Sequence, residues 1–401
     1  MTGRIEITIN DREDRFAMNT ELDRILEWWV KYMTDRKNGG FFGRIDGHGH
    51  LHPDAEKGVI LNSRILWAFS AAARKHPGYR QTADRAFNYL KTHFWDSGQG
   101  GFFWSLDYQG QPLHTKKQVY AQAFAIYALS EYYLLTQDPE CLELALETYW
   151  LLERNALDKT ANGYFEAYSR DWQLLDDLRL SDKDANEAKT QNTHLHVLEA
   201  YTTLLHASKS ESVRDSLKNL IELFLDRFID PETGHIHLFF DEAWNLKSDI
   251  ISYGHDIEAS WLLWAAAEAV GDPALSARVR ETGLLIAETT LKEAVDPDGA
   301  VINEAYYNNS RVDRDRIWWV QAEAVVGFWN AYQLSGQEKF RDAALACWAF
   351  IRDHMIDQAR GEWFWKVSPA GIPSMEEDKA GFWKCPYHNG RMCLEMMMRL
   401  G

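Results

Sequence analysis

One pattern recurs six times along this chain of 401 residues and limits the folds open to it. Each copy contains an aspartate, a few polar residues, a glycine and then an apolar or aromatic stretch, as in DSGQGGFFWSLD. The copies begin at Asp35, Asp96, Asp158, Asp230, Asp296 and Asp357, so successive aspartates lie 61, 62, 72, 66 and 61 residues apart. Self-similarity at a nearly fixed period indicates a fold assembled from repeated supersecondary units.

Each copy predicts a turn followed by a short strand. Aspartate and glycine supply the turn, because glycine adopts positive φ without a steric penalty. The aromatic residues that follow are typical of a half-buried strand.

Two kinds of helix flank the copies. The helix before each copy is amphipathic and should face water; examples lie at 82–94, 141–157, 212–228 and 339–355. The helix after each copy is apolar nearly all round, as buried helices are; these lie at 58–75, 118–135, 192–205, 256–270, 318–334 and 389–400.

Six such units predict an all-α fold, an (α/α)6 barrel of six helical hairpins. An inner ring of apolar helices would lie inside an outer ring of amphipathic ones, with the short strands in the loops. An open superhelical array of helix pairs is the alternative, but the count of six and the buried second helices favour closure. Without a linker rich in proline, glycine or serine, we expect residues 1–401 to form one domain.

Composition excludes several classes of function. A net charge of −17 argues against binding to nucleic acid or to an anionic membrane. The sequence shows neither a transmembrane run of apolar residues nor a signal peptide, which predicts a cytoplasmic protein. The four cysteines have no paired spacing and should be reduced thiols. The 17 tryptophans suit either a bulky core or a carbohydrate site.

Polar residues interrupt the apolar helices near their starts. The starts of six inner helices in a closed ring meet at one mouth, so these side chains should line a single pocket. They are Arg64, Tyr120, Asn192, His196, His255, Glu258, Trp319, Glu323, Trp383, His388 and Arg391.

The segment 184–199 contains two histidines, His194 and His196, that should lie on different faces of a helix. Residues three or four apart share a helical face, whereas residues two apart do not. His196 should therefore lie on the pocket face with Asn192 and Glu199, while His194 packs on the other side.

The residue types leave several chemistries open. A buried pair of Arg64 with Glu258 or Glu323 could be purely structural. Zinc is disfavoured, because no HExxH motif or completing carboxylate is present, so we expect no metal. Histidines acting as proton carriers, with an arginine binding an oxygen, fit better. Paired carboxylates would instead suit a glycoside hydrolase; the candidates are Asp182, Asp184, Glu187, Glu258 and Glu323.

Several segments resemble the motifs of the N-acylglucosamine 2-epimerase family. They are SDKDANEAKTQNTHLHVLEAY, GHDIEASWLL, WWVQAEAVVGFWNAY, FWKCPYHNGR, KGVILNSRILWAFSAA and KKQVYAQAFAIYALSE. The likeness runs from about residue 20 to the C-terminus and implies an (α/α)6 barrel. Val320 departs from the pattern, in which proline is common at that position.

The resemblance also implies an activity and a set of site residues. The expected reaction inverts C2 of the reducing-end glucose in β-1,4-linked disaccharides such as cellobiose and lactose, without a cofactor. The catalytic residues would be His196, His255, His388 and Arg64. His255 and His388 would move the C2 proton, and His196 would serve the O1 and O2 side. The substrate-binding residues would be Tyr120, Ser181, Asp184, Asn192, Glu258, Glu304, Trp319 and Trp383.

Other functions remain open at this point. Within the same family these are a monosaccharide or N-acylglucosamine 2-epimerase and an aldose–ketose isomerase of the mannose type. Outside it they are an (α/α)6 glycoside hydrolase and a carbohydrate-binding protein without catalysis. We expect a small sugar as the partner, no nucleic acid or membrane, and a monomer.

Overall fold

Twelve α-helices build the part of the chain that the structure, a computed structural model, describes, residues 11–307 and 310–400. They alternate between an outer and an inner position. The outer helices are α1 (Asp11–Met33), α3 (Arg80–Tyr89), α5 (Pro139–Asn155), α7 (Glu211–Leu223), α9 (Pro273–Ala294) and α11 (Glu338–Phe350). The inner helices are α2 (Val59–Ala73), α4 (Val119–Thr136), α6 (Gln191–Ser208), α8 (Tyr253–Val270), α10 (Trp318–Ser335) and α12 (His388–Arg399). Helices α3, α7 and α11 each continue into a π-helical turn, at Leu90–Phe94, Phe224–Phe228 and Ile351–Met355.

The inner helices form a closed ring. Each packs against the next in order, and α12 packs against α2. Helix α1 lies against α12, and two hydrogen bonds join it to the last repeat: Trp29 Nε1 donates to Glu362 (2.6 Å), and Trp363 Nε1 donates to Glu21 (2.6 Å). The fold is therefore the predicted (α/α)6 barrel.

Short strands connect the helices on one end of the ring. They are β1 (Lys57–Gly58), β2 (Ser105–Leu106), β3 (Pro112–His114), β4 (Lys117–Gln118), β5 (Ala167–Tyr168), β6 (Lys189–Thr190), β7 (Phe239–Phe240), β8 (Ile250–Ser252), β9 (Glu304–Tyr306), β10 (Val312–Asp313), β11 (Arg316–Ile317) and β12 (Lys366–Val367). All the pairings are antiparallel: β1–β2–β3, β4–β5, β6–β7, β8–β9–β10 and β11–β12. Each strand before an inner helix pairs with the strand of the next repeat, so backbone hydrogen bonds connect neighbouring repeats at this end.

The six predicted turns are present, and in each the N–H of the aspartate donates to a carbonyl five residues later, or four in the fifth repeat. In the second repeat, for example, the Asp96 N–H donates to the carbonyl of Gly101 (2.9 Å), and Trp95 bridges to Phe102. Gly101 has φ of +72°, a conformation that side chains other than glycine rarely adopt.

A buried cation reinforces five of the six turns, a feature that our sequence analysis missed. Lys117, in the strand that precedes α4, donates to the Asp96 carboxylate (3.1 Å). The equivalent pairs are Lys57–Asp35, Lys189–Asp158, Arg316–Asp296 and Lys379–Asp357. In the fourth repeat Ile251 stands where the cation would be. Asp35, Asp96, Asp158 and Asp296 tie their turns to the strands that lead into the next inner helices, while Asp357 ties its turn to Lys379 in the loop before α12.

Burial follows the predicted division between the rings. Inner helices such as α2 and α4 are buried along almost their whole length, whereas outer helices such as α7 bury one face. All four cysteines are buried free thiols, as expected. Within the described residues, no helix is both long enough and apolar enough to cross a membrane.

Candidate active site

A cavity of about 210 Å³ lies where the starts of the inner helices meet. All six inner helices contribute to its wall, as the ring arrangement predicts. Nine of the twelve predicted site residues line it: Arg64, Tyr120, Asn192, His196, His255, Glu258, Trp319, Trp383 and His388. Trp318 and Trp365 also line it and were not predicted.

The repeat explains why these side chains converge. Most of them occupy the second or the sixth position of an inner helix, and positions four apart share a helical face. The sixth residues of α2, α4, α6, α8 and α10 are Arg64, Phe124, His196, Glu258 and Glu323. One structural position thus carries a cation, an aromatic ring, an imidazole and two carboxyls in five successive repeats.

His194 lies outside the cavity. It occupies the fourth position of α6, and its Nε2 accepts the Tyr164 N–H (2.8 Å). The same position in α4 is Gln122, which accepts the Phe102 N–H (2.7 Å). The prediction that His194 packs away from the pocket is confirmed. His194 instead hydrogen-bonds the backbone at Tyr164, after the turn of the same repeat.

Arg64 is fully buried. The sequence analysis considered Glu258 or Glu323 as its partner, but Arg64 pairs with neither. Its guanidinium donates to the Tyr120 hydroxyl (2.7 Å) and to the Trp383 carbonyl (3.2 Å). Its Cζ lies 4.1 Å from the ring centre of Phe124. Among the described residues no carboxylate forms an ion pair with Arg64, so its charge is available to an oxygen in the cavity.

Arg391 is the arginine that pairs with the central carboxylates. Its Nη2 lies 2.7 Å from Glu258 and 2.7 Å from Glu323, and its Nη1 contacts Glu199. Burial raises the pKa of Glu258 and of Glu323, with Arg391 opposing the rise. Burial also acts to raise the pKa of Glu199, but the charge of Arg391 and the bond from His196 outweigh it and lower that pKa to about 2.

The same cluster bears on metal binding. Glu258, Glu323 and His388 each offer an atom within 4.8 Å of the others, a spacing that a metal ion would fit. The Arg391 guanidinium already bridges the two carboxylates, and its fixed positive charge would repel a cation there. The donor set therefore fits an arginine better than a metal.

The cavity histidines have different partners at Nδ1. His196 Nδ1 lies 3.0 Å from Glu199, and His388 Nδ1 lies 2.7 Å from Glu323. His255 Nδ1 lies 2.8 Å from the Ser252 hydroxyl. With each Nδ1 engaged, Nε2 is the ring nitrogen left for a molecule in the cavity.

Burial favours the neutral form of all three imidazoles. It lowers the pKa of His255 to about 3 and the pKa of His196 and His388 below the ordinary value. Neutral imidazoles at physiological pH are able to accept a proton. The Trp319 ring contacts both His255 (4.9 Å between ring centres) and His388 (5.6 Å), so these two bases flank one aromatic surface.

A groove of about 800 Å³ continues outward from the cavity. It shares Asn192, His255, Trp319 and Trp365 with the cavity wall. The other three predicted site residues, Ser181, Asp184 and Glu304, line this groove and not the cavity. The Ser181 hydroxyl donates to the Asp184 carboxylate (2.8 Å), which orders the loop at the rim.

The position of Trp365 within its repeat could have predicted that it lines the cavity. Trp365 lies two residues after Trp363, which forms a β-bridge with Ile356 at the end of the outer helix. In the second repeat, Trp104 lies two residues after Phe102, which forms the equivalent bridge with Trp95. The carbonyl of the residue at this position accepts the first N–H of the preceding inner helix in both repeats: Trp104 accepts from Val59, and Trp365 accepts from Trp318. Aligning the copies residue by residue would have placed Trp365 at the mouth of the ring.

The closed helical ring, with a cavity of polar and aromatic side chains where its inner helices begin, defines an (α/α)6 barrel with a candidate active site. The sequence profile of N-acylglucosamine 2-epimerase (GlcNAc 2-epimerase) matches residues 40–390, and the chain belongs to this family. It is 48% identical over 376 residues to a cellobiose 2-epimerase of Bacteroides fragilis, a match that covers 93% of this chain and 96% of the relative. A cellobiose 2-epimerase of Ruminococcus albus is 43% identical over 380 residues, covering 94% and 96% of the two chains.

The fold comparison agrees. The structure of cellobiose 2-epimerase from Bacillus thermoamylovorans superposes with a TM-score of 0.92 at 40% identity, covering 97% of this chain and 100% of that one. The chain is therefore an isomerase that acts as a carbohydrate epimerase.

Proposed function

We propose that this enzyme inverts C2 of the reducing-end glucose of β-1,4-linked disaccharides, converting cellobiose to glucosyl-mannose and lactose to epilactose. The observation that carries the proposal is the convergence of three histidines and Arg64 on one cavity. The names of its relatives in Bacteroides fragilis and Ruminococcus albus support the choice of cellobiose. We also propose that the whole ring is one catalytic domain, since every inner helix contributes to the cavity.

The chemistry requires an open-chain sugar. The C2 proton becomes acidic only when C1 is a free carbonyl, so the pyranose ring must open first. Removal of the proton then yields a cis-enediolate with negative charge on O1 and O2. Arg64 is suited to hold that charge, and a single well-placed donor of this kind is worth about 3–4 kcal/mol.

Inversion requires the proton to leave one face of C2 and return to the other. His255 and His388 are the proposed pair, because both contact the Trp319 ring and both present Nε2 as the free nitrogen. His196 lies beside Tyr120, whose hydroxyl accepts from Arg64, and would act on the O1 and O2 side.

The two connected spaces suit a disaccharide. The inner cavity is about a quarter of the size of the groove outside it, so the reacting ring would occupy the cavity and the second ring the groove. Trp319 belongs to both walls and would stack against a sugar ring. Asn192 would bind hydroxyls in the cavity, and Ser181, Asp184 and Glu304 would do so in the groove.

A hydrolase fits the site less well. Glycoside hydrolysis uses two carboxyl groups on either side of the scissile bond. Among the described residues, Glu258 is the one carboxyl group in the cavity wall, and it is paired with Arg391. Of the other candidates, Glu323 is also paired with Arg391, Asp184 and Glu187 line the outer groove, and Asp182 lines a neighbouring cleft.

Product analysis tests the proposal. The purified protein should be incubated separately with cellobiose, glucose, mannose and N-acetylglucosamine, and the products separated by chromatography. We expect glucosyl-mannose from cellobiose and little change in the monosaccharides. Fructose from mannose would indicate an aldose–ketose isomerase, and free glucose from cellobiose a hydrolase.

A further inference from the structure

The partners of the three cavity histidines differ in charge. Carboxyl groups hold Nδ1 of His196 (3.0 Å) and of His388 (2.7 Å). A hydroxyl, that of Ser252, holds Nδ1 of His255 at 2.8 Å. A hydroxyl can accept a hydrogen bond or donate one, whereas an ionised carboxylate only accepts.

Ser252 does not cap the helix that it precedes, although serine in this position usually does. It precedes the first turn of α8, where a serine hydroxyl ordinarily accepts an N–H of the helix. Thr190, at the equivalent place before α6, does so: its hydroxyl accepts the Thr193 N–H (3.2 Å). The buried Ser252 hydroxyl makes no such bond, and its hydrogen bond goes to the His255 ring.

We propose that Ser252 is a positioning residue for proton transfer by His255, an inference that rests on the proposed epimerase function. The hydroxyl aims the imidazole so that Nε2 faces C2 of the sugar. When Nε2 takes the C2 proton, the C–H bond breaks, its electron pair stays on the enediolate, and the N–H bond forms. The Nδ1–H of the resulting imidazolium then donates to the Ser252 oxygen. His388, carrying a proton when the enediolate forms, gives it to the opposite face of C2, and His255 afterwards releases its proton to solvent.

The neutral partner also sets how readily His255 is protonated. Burial lowers the pKa of His255 to about 3, His196 opposes its protonation, and Glu323 favours it. A hydroxyl at Nδ1 adds no charge to that balance, whereas a carboxylate would favour the protonated ring. The ionisable groups that share the cavity and groove with His255 are Arg64, Tyr120, His196, Glu258 and His388 in the cavity and Arg179, Lys183, Asp184, Glu187, Glu304, Tyr306, Arg311 and Asp313 in the groove.

Three variants test the positioning role. Ser252→Ala should lower kcat for cellobiose by about 10- to 100-fold, the usual effect of removing a partner that orients a reactive side chain. Ser252→Thr keeps the hydroxyl and should retain most of the activity. Ser210→Ala is the matched control, because Ser210 also precedes a helix without capping it but lies on the outer ring before α7, and its kcat should equal that of the wild type.

A pH profile separates positioning from a merely structural effect. Ser252→Asp would place a carboxylate behind His255 and raise its pKa, because a nearby opposite charge typically shifts a pKa by about 1–3 units. The acidic limb of the kcat/KM profile should therefore move to higher pH by at least about one unit. In Ser252→Thr the limb should stay where it is in the wild type.

The outcomes keep this inference apart from the proposed function. If the wild type does not epimerise cellobiose, the proposed function fails. If the wild type turns over and Ser252→Ala matches it in kcat, or Ser252→Asp leaves the acidic limb unmoved, the role of Ser252 is wrong while the function stands. A side-chain ¹⁵N spectrum of His255 gives a readout without substrate: the tautomer populations should change in Ser252→Ala and persist in Ser252→Thr.

Discussion

His388 Nδ1 lies 2.7 Å from Glu323 Oε1, and Arg391 Nη2 donates to the same oxygen at 2.7 Å. The carboxyl group therefore joins a cavity base to the most buried arginine of the ring. Through this oxygen the orientation of His388 depends on Arg391, which also contacts Glu199 and Glu258. The network connects α6, α8, α10 and α12, so the geometry of the site and the closure of the ring are linked.

Glu323→Gln tests the link between these groups. The amide is nearly the same size but carries no charge, so it holds the His388 ring less firmly and leaves part of the Arg391 charge unbalanced. We expect kcat for cellobiose to fall by about 10- to 100-fold. Steady-state kinetics measure the change, with circular dichroism to show that the variant is folded. A folded variant with wild-type kcat would show that His388 does not need this partner.

His255→Ala and His388→Ala test the proposed acid–base pair. Each should fold and lose at least about 100-fold in kcat, the low end for a general acid–base group. His194→Gln is the matched control, because glutamine makes the equivalent hydrogen bonds at this position in α4 and α10. That variant should keep nearly full activity. Wild-type turnover in either alanine variant would exclude the residue from proton transfer.

Arg64→Lys tests the binding of the enediolate oxygens. Lysine keeps the positive charge but loses the planar group that contacts Tyr120, Phe124 and the Trp383 carbonyl together. Removing one such donor typically costs about 10²–10³ in kcat, so we expect a loss in this range, read by steady-state kinetics. A change in KM alone would mean that Arg64 binds the substrate without stabilising the intermediate.

The pH dependence of stability tests the Glu199–Arg391 pair. The pKa of Glu199 in the folded protein, about 2, lies below its ordinary value of 4.5. Its stabilising effect is therefore present above about pH 4.5 and is lost as the pH falls towards 2. Glu199→Gln should lower the free energy of unfolding by about 3–5 kcal/mol at pH 7, because it removes the ionised partner of Arg391 Nη1 from a buried cluster.

Urea unfolding at pH 7 and at pH 3 measures this difference. The gap between wild type and Glu199→Gln should narrow at pH 3, because the wild-type carboxylate is then losing its advantage. If the difference in the free energy of unfolding between wild type and Glu199→Gln were equal at pH 7 and pH 3, the ion pair would not contribute as the geometry indicates.

Local patterns predicted the architecture well. The period of the aspartate turns gave the number of units, and the contrast between apolar and amphipathic helices gave the two rings. The spacing of His194 and His196 separated a structural histidine from a cavity one, because two residues on a helix span about half a turn. These features depend on neighbours in sequence, which a single chain displays directly.

Pairings across the ring could not be predicted in this way. Our sequence analysis considered Arg64 as the partner of Glu258 or Glu323, yet Arg391 fills that place. Both arginines point into the ring from inner helices, and only the packed arrangement decides which one reaches the carboxylates. The hydroxyl of Ser252 was missed for a different reason, since a serine before a helix ordinarily indicates a cap.

Incubation with cellobiose in D₂O tests the central claim most directly. Epimerisation through an enediolate with two bases should yield glucosyl-mannose that carries deuterium at C2 of the mannose, seen by NMR as loss of the C2 proton signal. The His388→Ala variant, run in parallel, should yield little of this product. Unchanged cellobiose or released glucose from the wild type would contradict the assignment as a 2-epimerase. An epimer without deuterium at C2 would contradict transfer between two exchanging histidines.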